Sequence, residues 1–96
     1  MSENTAVSKA VITVVGRDTV GIIAGVTQYL AEREVNILDI SQTIVDGFFN
    51  MMMIVDISGV ENEFDNLVNG LNEVGNSIGV SIHCQRAEIF TTMHRV

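Results

Sequence analysis

At 96 residues the chain has room for one domain, which buries roughly 65% of its unfolded surface and gains from a partner surface. Hydrophobic residues make up 47% and proline is absent, a balance that excludes a disordered chain. Twelve acidic against five basic side chains give a formal net charge of -7, which argues against nucleic acid and anionic membrane surfaces as partners.

Residues 1–8, MSENTAVS, are small and polar without periodicity and read as a flexible leader before a single domain over 9–96. They lack the basic and apolar regions of a secretory signal, no apolar run is long enough to span a bilayer, and the lone Cys84 cannot close an internal disulfide. The expectation is a cytoplasmic protein. AVITVV, residues 10–15, is rich in β-branched side chains and stops at Gly16, which predicts a central strand buried on both faces. After the turn GRDTVGI, the positions Ile22, Ile23, Val26, Tyr29 and Leu30 have helical spacing, with Asp18 or Thr19 as the expected N-cap and Arg33 near the C-terminal end.

From Asn36 the pattern NILDISQTIV changes to period two, Asp46-Gly47 gives a hairpin signal, and FFNMMMIVDIS returns as an antiparallel neighbour. Ser58 to Glu61 has capping-box spacing, after which Phe64, Leu67, Val68, Leu71, Val74 and Ile78 trace one helical face that Gly75 and Gly79 close. The last strand, VSIHCQRAEI over residues 80–89, alternates, and the tail FTTMHRV follows. The order is βαββαβ, which predicts an α+β, ferredoxin-like fold with a four-stranded antiparallel sheet and two helices on one face. Phe49, Met51, Met53, Val55 and Ile57 suit the helix side. The other face keeps Phe48, Met52 and Ile54, with His83 beside them, and such an apolar patch predicts a two-fold homodimer interface.

The first turn leaves bare amides at the positive end of a helix, a receptor for an anionic group such as an amino acid carboxylate, with Asp18 available for the ammonium. It is not a P-loop, because Ile22 and Ile23 stand where Lys and Ser or Thr are required, and it lacks the G-x-G spacing of a dinucleotide fingerprint. Gly25, one turn after Gly21, suits close helix-to-strand packing. His83 and Cys84 point to opposite faces of a strand, so no metal and no cofactor is expected; Cys84 reads as a small core residue. No local Ser, His and Asp constellation supports catalysis. Asn36, expected close to the first turn, could complete a polar pocket or serve as a left-handed residue ending the first helix.

The βαββαβ order, VVGRDTVGIIAGV at the first helix and VNILDISQTIVDGFFNMMMIVDIS, with the tail containing Met93, His94 and Arg95, resemble the ACT domain, and within it the stand-alone UPF0237 group. The resemblance implies a dimeric regulatory module that binds a small amino acid near the first β-to-α turn and the start of the second strand. Carried onto this chain, that means Gly16, Arg17, Asp18, Val20, Gly21 and Ile22 in the turn, with Asn36 and Ile37 opposite. Similar domains in the glycine cleavage repressor and in formyltetrahydrofolate deformylase imply control of an enzyme or pathway of amino acid or one-carbon metabolism. Val20 stands where many ACT turns carry proline, so this loop has one fewer fixed φ. Two other classes compete: a ligand-free interaction module using the apolar sheet face, and an acylphosphatase-like hydrolase using Arg17 and Asn50. An RNA-binding RRM shares the topology but needs aromatics and a basic surface.

Overall fold

A computed structural model describes residues 8–87, and within them each run with strand or helix periodicity forms that element. In chain order they are β1 (Lys9–Arg17), α1 (Ile22–Glu32), β2 (Asn36–Val45), β3 (Phe48–Asp56), a 3-10 stretch (Ser58–Glu63), α2 (Phe64–Ile78) and β4 (Val80–Arg86). The four strands make one antiparallel sheet in the order β2-β3-β1-β4, so β1 is central as its β-branched run requires.

Strand alternation builds one side of the core. Ile12 lies opposite Met53 and Val14 opposite Met51, and with Phe49 and Val55 they are buried on the helix side. The helical stripes Ile22, Val26, Leu30 and Leu67, Leu71 complete it. Each such aliphatic side chain contributes about 1.5–3 kcal/mol by leaving water. The hairpin signal is realised as Asp46 at φ 56 and Gly47 at φ 82, the two positive values a type I′ turn requires.

Local chemistry corrects several expectations. Gly21, at φ 95, caps α1 with no side-chain hydrogen bond, so neither Asp18 nor Thr19 is the cap. At the other end, Glu34 N–H donates to the Ala31 carbonyl at 3.0 Å and Val35 N–H to that of Leu30, also at 3.0 Å. This pair of bonds is a Schellman motif whose left-handed residue is Glu34, at φ 59, and not Asn36, which already lies in β2. Leu30 and Val35, both buried, supply its apolar contact.

The capping box at Ser58 does not form. The Asp56 carboxylate instead accepts the Ser58 N–H at 2.9 Å; hydrogen bonds from the Ser58 hydroxyl and then from this N–H hold its pKa below the usual value, and α2 starts only at Phe64. Gly79, at φ 93, ends α2, whereas Gly75 stays inside it. A β-carbon on Gly75 would lie 2.7 Å from the Val80 carbonyl oxygen, so this glycine lets α2 press onto β4. Gly25 also serves packing, but against Ile78 of α2 and not against a strand. Ser8, expected in the leader, accepts the Ile57 N–H at 2.8 Å. The last strand is seen to Arg86; its expected extension to residue 89 and the tail motif lie outside the described residues, as do residues 1–7.

Candidate functional site

The β1–α1 turn is anchored by one bond, from the Asp18 N–H to the Gly47 carbonyl at 2.9 Å, which ties it to the β2–β3 hairpin. Its two glycines have different reasons to be glycine. Gly16 sits against β4, where a β-carbon would come 2.8 Å from Val80 Cγ1, while Gly21 faces open space and is required by its positive φ. Arg17, Asp18 and Val20 are exposed, and Val20 is 99% so, an apolar side chain at the turn tip with nothing from its own chain against it. Ile22 is buried in the core, so only its backbone can face a ligand.

The first intrahelical bond of α1 runs from Gly25 N–H to the Gly21 carbonyl at 2.9 Å. The amides of Ile22, Ile23 and Ala24 therefore have no acceptor within the helix, no side chain caps them, and no acidic residue stands in the first turn to repel an anion. Such an end receives a carboxylate or phosphate oxygen.

Asn36 and Ile37 are not close to this turn. Asn36 pairs with Asp56, which pairs with Lys9 at the start of β1, whereas the turn follows Arg17, which pairs with Phe48. The length of β1, about 26 Å at 3.3 Å per residue, separates the two positions. One protomer cannot close a pocket from both.

The four expected interface residues share the face opposite the helices. Phe48 and Met52 are exposed, Ile54 is half-buried, and His83 is exposed beside Thr13, its Nε2 3.5 Å from Ser81 Oγ. Arg17 and Asn50 lie in neighbouring rows of that face, as their pairings with Phe48 and Val15 place them. Among the described residues no three His, Cys, Asp or Glu side chains gather as metal ligands, and no helix is long and apolar enough to cross a membrane. Cys84 packs against the core, and burial pushes its thiol up to about 11, far from a reactive thiolate.

Two features escaped sequence reasoning. A groove of about 390 Å³ runs between the helices, past Tyr29, Arg33, Glu73 and Ser77. Arg33 stacks on the Tyr29 ring at 3.9 Å, burial raises the Tyr29 pKa, and Gly70 leaves room for the phenol. Only the spacing of Tyr29 and Arg33, one helical turn apart, hinted at that stack. The second feature is β2, in which every residue from Leu38 to Val45 is exposed, including Ile40 and Ile44 on the helix side. α2 packs over β4 and α1 lies beside α2.

The ACT domain family pattern matches residues 8–85. A UPF0237 protein of Bifidobacterium longum is 61% identical over 93% of this chain and 99% of its own length. Among solved structures, an ACT domain protein from Streptococcus pneumoniae superposes with a TM-score of 0.77 at 46% identity, covering 86% of this chain and 93% of that one. The regulatory subunit of aspartate kinase from Thermus thermophilus, in its ligand-free form, gives 0.64 at 26% identity over 82% of this chain and 51% of that one. With the split βαβ topology and the glycine-capped first turn, these matches place the chain in the ACT domain family, within its UPF0237 group.

Proposed function

We propose that this protein is a regulatory module that binds a small amino acid at the β1–α1 turn and, as a dimer, controls an enzyme or pathway of amino acid or one-carbon metabolism. The observation that carries the reading is the uncapped N-terminus of α1 beside an exposed Asp18, within an ACT chain similar to a regulatory kinase subunit. A ligand carboxylate would take the amides of Ile22, Ile23 and Ala24, and Asp18 the ammonium. Asn36 and Ile37 would belong to the same site only when a second protomer supplies them. Regulation then requires that the ligand prefer one of two dimer geometries.

Thermal unfolding of the purified protein against the standard amino acids tests the reading. A selective ligand at about 100 times its dissociation constant adds roughly 2.7 kcal/mol. Asp18→Ala should then weaken that ligand by about tenfold or more, the cost of one charge-assisted bond. Gly21→Asn, which keeps a left-handed backbone but places a side chain at the amides, should weaken it too. Unchanged affinity in both variants overturns the site. A second reading, a ligand-free interaction module, is favoured by the bare β2 edge, and indifference to every amino acid would select it.

A further inference from the structure

Helices α1 and α2 cross antiparallel, Gly25 against Ile78 and Tyr29 against Gly70, and between them runs the groove of about 390 Å³. A β-carbon on Gly70 would strike the Tyr29 phenol, and a glycine inside a helix is destabilising relative to alanine. The helix carries that cost to seat a hydroxyl that the chain itself barely uses. The phenol donates to the Leu67 carbonyl at 3.5 Å, beyond the roughly 2.5–3.0 Å of an ordinary O–H···O bond. Burial raises its pKa, so near neutral pH it stays a protonated donor.

Opposite charges stand on the two sides of this phenol. Arg33 follows Tyr29 by one turn of α1 and Glu73 follows Gly70 by one turn of α2, so in antiparallel helices the two diverge, their backbones about 10 Å apart along the axis. Stacking on the ring at 3.9 Å holds the Arg33 guanidinium at the groove wall. Its ion pair among the described residues is with its chain neighbour Glu32, at 3.9 Å, and none joins it to Glu73. Half-buried Val74 and Ile78 make the floor. A cation, a neutral donor and an anion thus follow one another over an apolar surface, in a volume of the size that small ligands fill.

We propose that this groove binds a dipeptide as its zwitterion, the ligand carboxylate on the Arg33 guanidinium and the ligand ammonium on the Glu73 carboxylate. A single α-amino acid carries both charges on one carbon and falls short of the span between these side chains, while one further residue adds about 3.5 Å of reach. The peptide group between the two ends then meets the Tyr29 hydroxyl, and an apolar side chain of the ligand rests on Val74 and Ile78. The order of the charges sets the direction, with the N-terminal residue toward Glu73 and the C-terminal residue toward Arg33. Every lining residue comes from α1, its C-terminal cap or α2. The groove is therefore separate from the site proposed at the β1–α1 turn and does not depend on the ligand there.

The chain has one tyrosine and no tryptophan, so its intrinsic emission reports Tyr29 alone, which lies about 12 Å along α1 from Gly21. Titration with glycyl-leucine should change that emission saturably. N-acetylglycyl-leucine, which lacks the ammonium, and glycyl-leucinamide, which lacks the carboxylate, should each bind roughly tenfold more weakly. Glu73→Gln and Arg33→Gln alter exposed positions and should fold. Each should raise the dissociation constant for glycyl-leucine roughly five- to tenfold, read by calorimetry for Arg33→Gln because it removes the group stacked on the fluorophore. An emission that millimolar glycyl-leucine leaves unchanged would overturn the proposal, as would equal binding of the acetylated or amidated form. Binding that Asp18→Ala removes and Glu73→Gln leaves intact would place the dipeptide at the turn and overturn the groove. A glycyl-leucine response with the expected signatures, in a protein indifferent to every free amino acid, would uphold the groove and remove the ligand reading at the turn.

Discussion

β4 and β2 end the same sheet, one at each side. β4 lies under α2, with Val80 and Ile82 buried at 8% and 4% exposure and Ser81, His83 and Gln85 turned outward. Gly75 brings the helix so near that a β-carbon would strike the Val80 carbonyl. On β2, Ile40 and Ile44 are exposed on the side where the core should be, and only Ile37 at its start packs against the core. Among the described residues both strands are edges of the sheet, but one is finished by its own chain with polar residues outside, and the other leaves Leu38, Ile40, Ile44 and Val45 exposed. A small domain with more hydrophobic residues than its core uses must place the excess somewhere, and here four of the nine exposed large hydrophobic side chains stand on one edge.

The largest effect that separates the two edges is a pair of truncations. Ile82→Ala should cost about 2–5 kcal/mol in chemical denaturation, because it opens a cavity under α2. Ile44→Thr, which keeps β-branching, should change monomer stability by no more than about 0.5 kcal/mol. Equal losses in monomer stability would mean that β2 is covered within its own chain.

A smaller effect, of opposite sign, is expected where α1 returns toward β2. Glu34 holds the left-handed position of the Schellman motif at φ 59, a conformation costing about 1 kcal/mol or more for a residue with a β-carbon. Glu34→Gly should therefore raise stability by about 0.5–1 kcal/mol net of its entropic cost, seen as a higher denaturation midpoint. Unchanged or lowered stability would show that the strain is relieved elsewhere.

An effect absent at neutral pH lies on the β4 side. Burial raises the Cys84 thiol to about 11, so its neutral form is favoured on folding. That stabilisation is complete below the unfolded value of about 8.5 and is lost as pH rises toward the folded one, since the unfolded chain then releases its proton first. Cys84→Ala should flatten the fall of stability with pH in this alkaline window. An unchanged slope would assign the fall to Tyr29, whose pKa burial also raises.

Periodicity made the fold legible, because strands and helices bury every second or every third to fourth residue, and β3 and α2 do so without ambiguity. Periodicity reports faces and not ends, which is why Asn36 was expected beside a turn that the whole length of β1 separates from it. Caps were misread at Asp18 and Ser58 because the spacing of a cap residue does not fix its backbone, and Gly21 and Asp56 supplied the geometry instead. The turn itself was legible as a bare helix end. The exposure of β2 was not, since its alternation looks like that of a covered strand until the helices are placed.

Amide hydrogen exchange measured residue by residue tests the difference between the two edges most directly. Slow exchange at the β4 amides bonded to β1, beneath α2, with faster exchange along β2 from Asp39 to Val45, is the predicted result. Equal protection of the two strands would contradict it, because β2 would then be covered as β4 is.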